Sequence, residues 1–196
     1  MDLIGGLIKE VIFLGIGYGI ASAIYAWGST SLYDDRITIA KSYDGQWILL
    51  GLIIFTLLNT WINYHMNAQK ARIMDWTDGA LRPNSYFYRL ATDKKEEGSA
   101  VVFNLEGDVG KYNLANRSTG FFLEGVLGYV ASTCAAFFIF PFPAFVLLCV
   151  YAFGRIIFQI GFAGYGRGAH LPGFLLDLGA RNTVTGLLII ASYKAF

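Results

Sequence analysis

Arg117, Glu124, Arg155, Asp177 and Arg181 stand inside or at the edge of long apolar runs in this sequence. An ionised group at the centre of a membrane helix costs about 2.5–3.5 kcal/mol on insertion scales, so each needs a partner or a task. Arg117 and Glu124 are two helical turns apart and share one face. Glu124 and Arg155 reach comparable depth if the helices either side of Pro141-Phe142-Pro143 pack antiparallel, which predicts an Arg155–Glu124 ion pair inside the bundle. Such a pair supports a fold as readily as it supports chemistry. Other reactive types are sparse. Cys134 and Cys149 lie in apolar runs flanking the proline turn and are expected to be buried free thiols packed as small hydrophobes. His65 and His170 stand alone, so no spacing suggests a metal site.

The elements that must carry these groups follow from composition. The chain has 196 residues, 55% of them hydrophobic and only 15% charged, with a mean hydropathy of +0.49. A soluble domain of this length needs more charge to cover its surface, so the membrane class is indicated. The net charge of +1 offers no electrostatic case for a nucleic-acid partner. A hydrocarbon core of about 30 Å takes about 20 apolar residues in a helix. Runs of that order occur at Val11–Trp27 (extensible back to Leu3), Trp47–Met66, Tyr112–Phe140, Pro143–Gly164 and Phe174–Tyr193. These make five spans, or four if the first lies along the interface. Lys9 and Glu10 within the first run, and the lack of an Arg-rich or Ser-rich presequence, argue against a cleavable signal. The expected organisation is an N-terminal transmembrane helix over residues 1–28, a short loop over 29–46, and a four-helix bundle over 47–196.

Residues 67–111 form an enlarged polar loop, too short for a core of its own and so expected to cap the bundle or a partner. Within it Ser99–Leu105 reads as a short strand. With five spans, Lys9, Lys70, Arg72, Arg82, Arg89, Lys94, Lys95, Lys111 and Arg167 share one side of the membrane, against Arg36, Lys41 and Lys194 on the other. The positive-inside rule places the long loop in the cytosol, or in the matrix of a mitochondrion. An intracellular membrane, mitochondrial or endoplasmic-reticular, is the expected setting.

Several of these residues form a pattern. Tyr112-Asn113, then Arg117, then Glu124, is similar to the second-helix signature of the MAPEG family, the membrane-associated proteins in eicosanoid and glutathione metabolism. Gly154-Arg155 followed by Gln159-Ile160-Gly161-Phe162 is similar to its third-helix signature. The run Arg167-Gly168-Ala169-His170-Leu171-Pro172-Gly173-Phe174 resembles the entry to its last helix, and Asn63–Arg72 the basic end of its first. The resemblance, on the side of the microsomal glutathione transferases, spans roughly residues 47–195. The first span and the enlarged loop lie outside it. It implies a homotrimer of four-helix subunits with glutathione held between neighbours, its thiol activated as the thiolate. Carried over by position, Arg117, Glu124 and Arg155 match ligand arginines and the glutamate; the activating arginine falls near Ala169, and only Arg167 or His170, with a shift, stands in for it.

The departures cut the other way. The family asparagine falls on Phe121, and the two helix-three tyrosines fall on Phe158 and Phe162. Each loses a hydrogen-bonding group, and a charged tripeptide left under-satisfied loses about 1–3 kcal/mol for each buried orphan. The three phenylalanines read as a stripe that fills the pocket. The expectation is therefore a divergent, non-catalytic member without a cofactor, acting as a structural or accessory subunit of a larger membrane complex such as a mitochondrial respiratory one. Membrane lipids and other membrane subunits are the expected partners. The alternatives are a glutathione transferase or peroxidase acting on lipophilic electrophiles, and a lipid-binding, non-enzymatic member.

Overall fold

The computed structural model describes residues 3–74, 85–92, 99–165 and 168–195. It is mostly helical: α1 (Leu3–Trp27), α2 (Thr30–Ser42), α3 (Gly45–Lys70), β1 (Tyr88–Thr92), β2 (Ser99–Phe103), α4 (Gly107–Ile139), α5 (Pro141–Gly164) and α6 (Leu171–Ala195). All of these helices except α2 are long and apolar enough to cross a membrane, so the chain is a helical integral membrane protein. All five expected spans are present, and the first extends back to Leu3. The third begins earlier than its apolar run, at Gly107.

Proline shapes the bundle. α4 ends at Ile139, and Pro141 opens α5 in the first turn, where a missing N–H costs nothing. α5 has the highest mean hydropathy of the spans and is the most buried, because it packs against α3, α4 and α6 together. Its Leu148 and Tyr151 meet Leu58 and Ile62 of α3 and Phe122 and Phe137 of α4 to form the core. α5 and α6 approach at backbone contact. A Cβ on Gly173 would lie 2.3 Å from the Phe158 nitrogen and 2.5 Å from the Gly154 carbonyl oxygen. Small residues that let helices touch are the usual means of association in lipid. Gly173→Val is expected to cost about 3 kcal/mol, the upper end of overpacking, and to lower the thermal midpoint in detergent. An unchanged midpoint would show that α5 and α6 can separate freely.

Three sequence expectations are corrected. Residues 29–46 are not a loop but chiefly α2, since Thr30–Tyr43 contains neither glycine nor proline to stop a helix. Thr30 donates to the Tyr25 carbonyl at 2.9 Å and Tyr25 donates to Asp34, which holds α2 against α1. The cysteines are free, as expected, but Cys134 is exposed and Cys149 only part-buried. Their apolar surroundings mark faces turned to lipid as well as faces turned to the core, and hydropathy does not tell the two apart. The strand expected at Ser99–Leu105 is β2, ending at Phe103. It pairs antiparallel with the unanticipated β1, Leu90 opposite Val101. Asn113 on α4 ties this hairpin down: its amide donates to the Phe87 and Asn104 carbonyls at 2.7 and 2.8 Å, and its oxygen accepts from the Phe87 N–H at 3.0 Å.

Candidate functional site

α4, α5 and α6 each bring charge to one level. Counting 1.5 Å per residue from Ile139, Pro141 and Ala195, the residues Glu124, Arg155 and Arg181 each lie about 21–22 Å in, within a hydrocarbon core of about 30 Å. Arg155 is 3% exposed. Its guanidinium donates to Asp177 Oδ2 at 3.3 Å and to the Ser118 carbonyl at 3.0 Å, and it lies over the Phe158 ring at 4.7 Å. The other Asp177 oxygen lies 2.8 Å from Arg181 Nε, one turn along α6. Asp177 thus sits between two guanidinium groups. Gly125 on α4 leaves room for the second: a Cβ there would come within 3.1 Å of Arg181.

The expected Arg155–Glu124 pair does not form. Glu124 pairs instead with Arg117 on its own helix, at 3.9 Å. Depth alone suggested the first pairing, but rotation about the helix decides it. Phe122 faces the core at 2% exposure. Glu124 follows two residues later, about 200° round the helix, and so leaves the core face for the mouth of the cleft between α4, α5 and α6. Its place is taken by Asp177, which α6 presents to α5 through the close glycine crossing. Arg117, Phe121 and Glu124 instead form one exposed stripe along the rim of that cleft.

Phe121, Phe158 and Phe162 do come together. Phe158 and Phe162 stack with centroids 5.4 Å apart and planes at 9°, while Phe121 meets both edge-on at 6.3 and 6.4 Å. His170 meets the same two rings edge-on, at 5.3 and 5.0 Å. The Arg117 guanidinium covers the Phe121 ring at 4.5 Å. These are the offset and edge geometries that aromatic quadrupoles favour, with cations over the ring faces. Beside the stack remains a cleft of about 520 Å³, open on one side, which Arg117, Glu124, Arg155, Asp177 and Arg181 also line. Arg167 lies outside the described residues.

Sequence reasoning passed over a second polar cluster deeper in the bundle. Gln159 is fully buried, with its amide nitrogen 3.2 Å from the Ala115 carbonyl, 3.4 Å from His65 Nδ1 and 3.5 Å from Thr119 Oγ1. Its signal was available in three polar side chains, Gln159, His65 and Thr119, one on each of three apolar spans. Chemically the cleft offers guanidinium donors and aromatic walls. Among the described residues no cysteine, serine, threonine or lysine lines it, and the Asp177 carboxylate is neutralised by its two arginines. Among the described residues no group of three His, Cys, Asp or Glu converges as a metal site. Comparison of the chain with family models, with curated proteins and with solved structures gives no match.

Proposed function

We propose that the chain is a divergent, non-catalytic protein of MAPEG type that serves as a structural or accessory subunit of a larger membrane assembly. One observation carries this reading. Arg117 and Glu124, with side chains 47% and 63% exposed, and Arg181 at 36% form a charged face beside the cleft, with Glu124 and Arg181 at hydrocarbon depth. Lipid tails cannot solvate them, at about 2.5–3.5 kcal/mol for each such group. A polar surface from a neighbouring protein subunit can. The phenylalanine stack supports the absence of catalysis, since rings occupy the positions where the resemblance asks for an amide and two phenols. A mitochondrial energy-converting complex is a fitting host.

The test is migration on a native gel after extraction in mild detergent. Co-migration with a large assembly is the expected result, and a free homotrimer or monomer would count against the reading. Arg117, Glu124 and Arg155 lining a single cleft favours a second reading, a glutathione transferase or peroxidase. Binding of glutathione at millimolar concentration, or its conjugation to a lipophilic electrophile, would establish that reading and displace the first.

A further inference from the structure

α1 stands apart from the bundle. None of its most apolar stretch is buried, and its packing is against α3 and α2. Where it leans on α3 it encloses a second cleft, of about 370 Å³, floored by Ala152 and Ile156 of α5. The walls are apolar along most of the length, from Ile54 and Leu57 on α3 to Val11 and Leu14 on α1. One end differs: there Glu10 accepts a hydrogen bond from the Tyr64 hydroxyl at 3.1 Å, with Trp61 alongside. Among the described residues Glu10 is the one charged residue lining the cleft.

Depth gives this arrangement a meaning. Counted from Trp27 along α1 and from Gly45 along α3, the residues Glu10, Trp61 and Tyr64 lie about 24–28 Å in, where a hydrocarbon core of about 30 Å gives way to headgroups. Ile54, Leu57 and Leu14 lie about 13–20 Å in by the same count, within the acyl region. We propose that the α1–α3–α5 cleft binds one membrane glycerophospholipid with an ammonium headgroup, its acyl chain between α1 and α3 and its ammonium at Glu10, Trp61 and Tyr64. A carboxylate supplies the opposite charge, and aromatic rings beside it favour ammonium groups through their negative faces. A phosphatidylglycerol headgroup at the same place offers hydroxyls and no cation, so the carboxylate and the ring faces lose their charge partner. The phosphate of the bound lipid stays in the headgroup layer and needs no partner in the cleft.

The test is native mass spectrometry of the purified full chain, exchanged against an equal mixture of phosphatidylcholine, phosphatidylethanolamine and phosphatidylglycerol with identical acyl chains. The expected result is retention of one lipid, with the ammonium-headed pair favoured over phosphatidylglycerol by about tenfold, a factor within reach of a partly desolvated cation–aromatic contact. Glu10→Gln keeps an oxygen for the Tyr64 hydroxyl but removes the charge, and should abolish the preference. Leu57→Trp should fill the slot and reduce retention of all three lipids. Because Glu10→Gln conserves shape and the tie to α3, it reports on the site even if Leu57→Trp folds poorly. Equal retention of phosphatidylglycerol, a preference that survives in Glu10→Gln, no retained lipid, or a second polypeptide in its place would each overturn the proposal.

Discussion

Asp177→Ala is expected to destabilise the chain by about 3–5 kcal/mol, the range for removing one partner of a buried ion pair. The Arg155 side chain is only 4% exposed and cannot reach water when its carboxylate is gone. The same change removes the counter-charge that separates Arg155 from Arg181, so two guanidinium groups then face each other at hydrocarbon depth. The Ser118 carbonyl still accepts from Arg155, but it carries no net charge. Asp177→Asn should recover part of the loss by keeping a hydrogen-bond acceptor. The double change Asp177→Leu with Arg155→Met should recover more, because replacing a buried pair by apolar groups of similar volume is often close to neutral. Reversible unfolding in mixed micelles measures all four chains. A loss under about 1 kcal/mol for Asp177→Ala would mean that Arg155 finds another anion or reaches solvent, in conflict with its burial.

That network marks where the sequence was legible and where it was not. Span number and position follow from hydropathy alone, because a membrane helix must be apolar along its whole length. The aromatic cluster was reached through the MAPEG resemblance, which set three ligand positions on phenylalanines. Phe158 and Phe162 are one turn apart on α5, and Phe121 lies on the neighbouring helix across the proline turn. The partner of Arg155 was not legible. Depth along a helix can be counted from a sequence, but rotation about its axis needs the inward face, and in lipid the outward face is equally apolar. Cys134 misled for the same reason: an apolar neighbourhood describes lipid as well as core. α2 was missed because it is the stretch left between two apolar runs, whereas the absence of glycine and proline from Thr30 to Tyr43 was the better guide. The hairpin could be half seen. The valine pair in β2 is a strand signal, but β1 declares itself only through its pairing.

Glu124→Leu separates fold from assembly, and its expected effect falls on assembly. Within a single chain Glu124 is well exposed and its contact with Arg117 is long, at 3.9 Å. Losing that contact costs no more than about 1 kcal/mol, and leucine is the better side chain in lipid. Thermal stability of the isolated chain should therefore hold or rise. In the assembled state the same carboxylate would be covered by a neighbouring subunit, and truncating one member of a desolvated charge pair typically costs about 2–5 kcal/mol of association. That corresponds to a loss of affinity of at least about thirtyfold. The variant should then run on a native gel as the free chain, while its thermal midpoint matches or exceeds the parent's. Arg117→Leu combined with Glu124→Leu should restore part of the assembly, since it removes the cation left without a partner. Undiminished assembly of Glu124→Leu would show that the charged face is not the contact, and would leave lipid headgroups or water drawn into the bilayer to cover it.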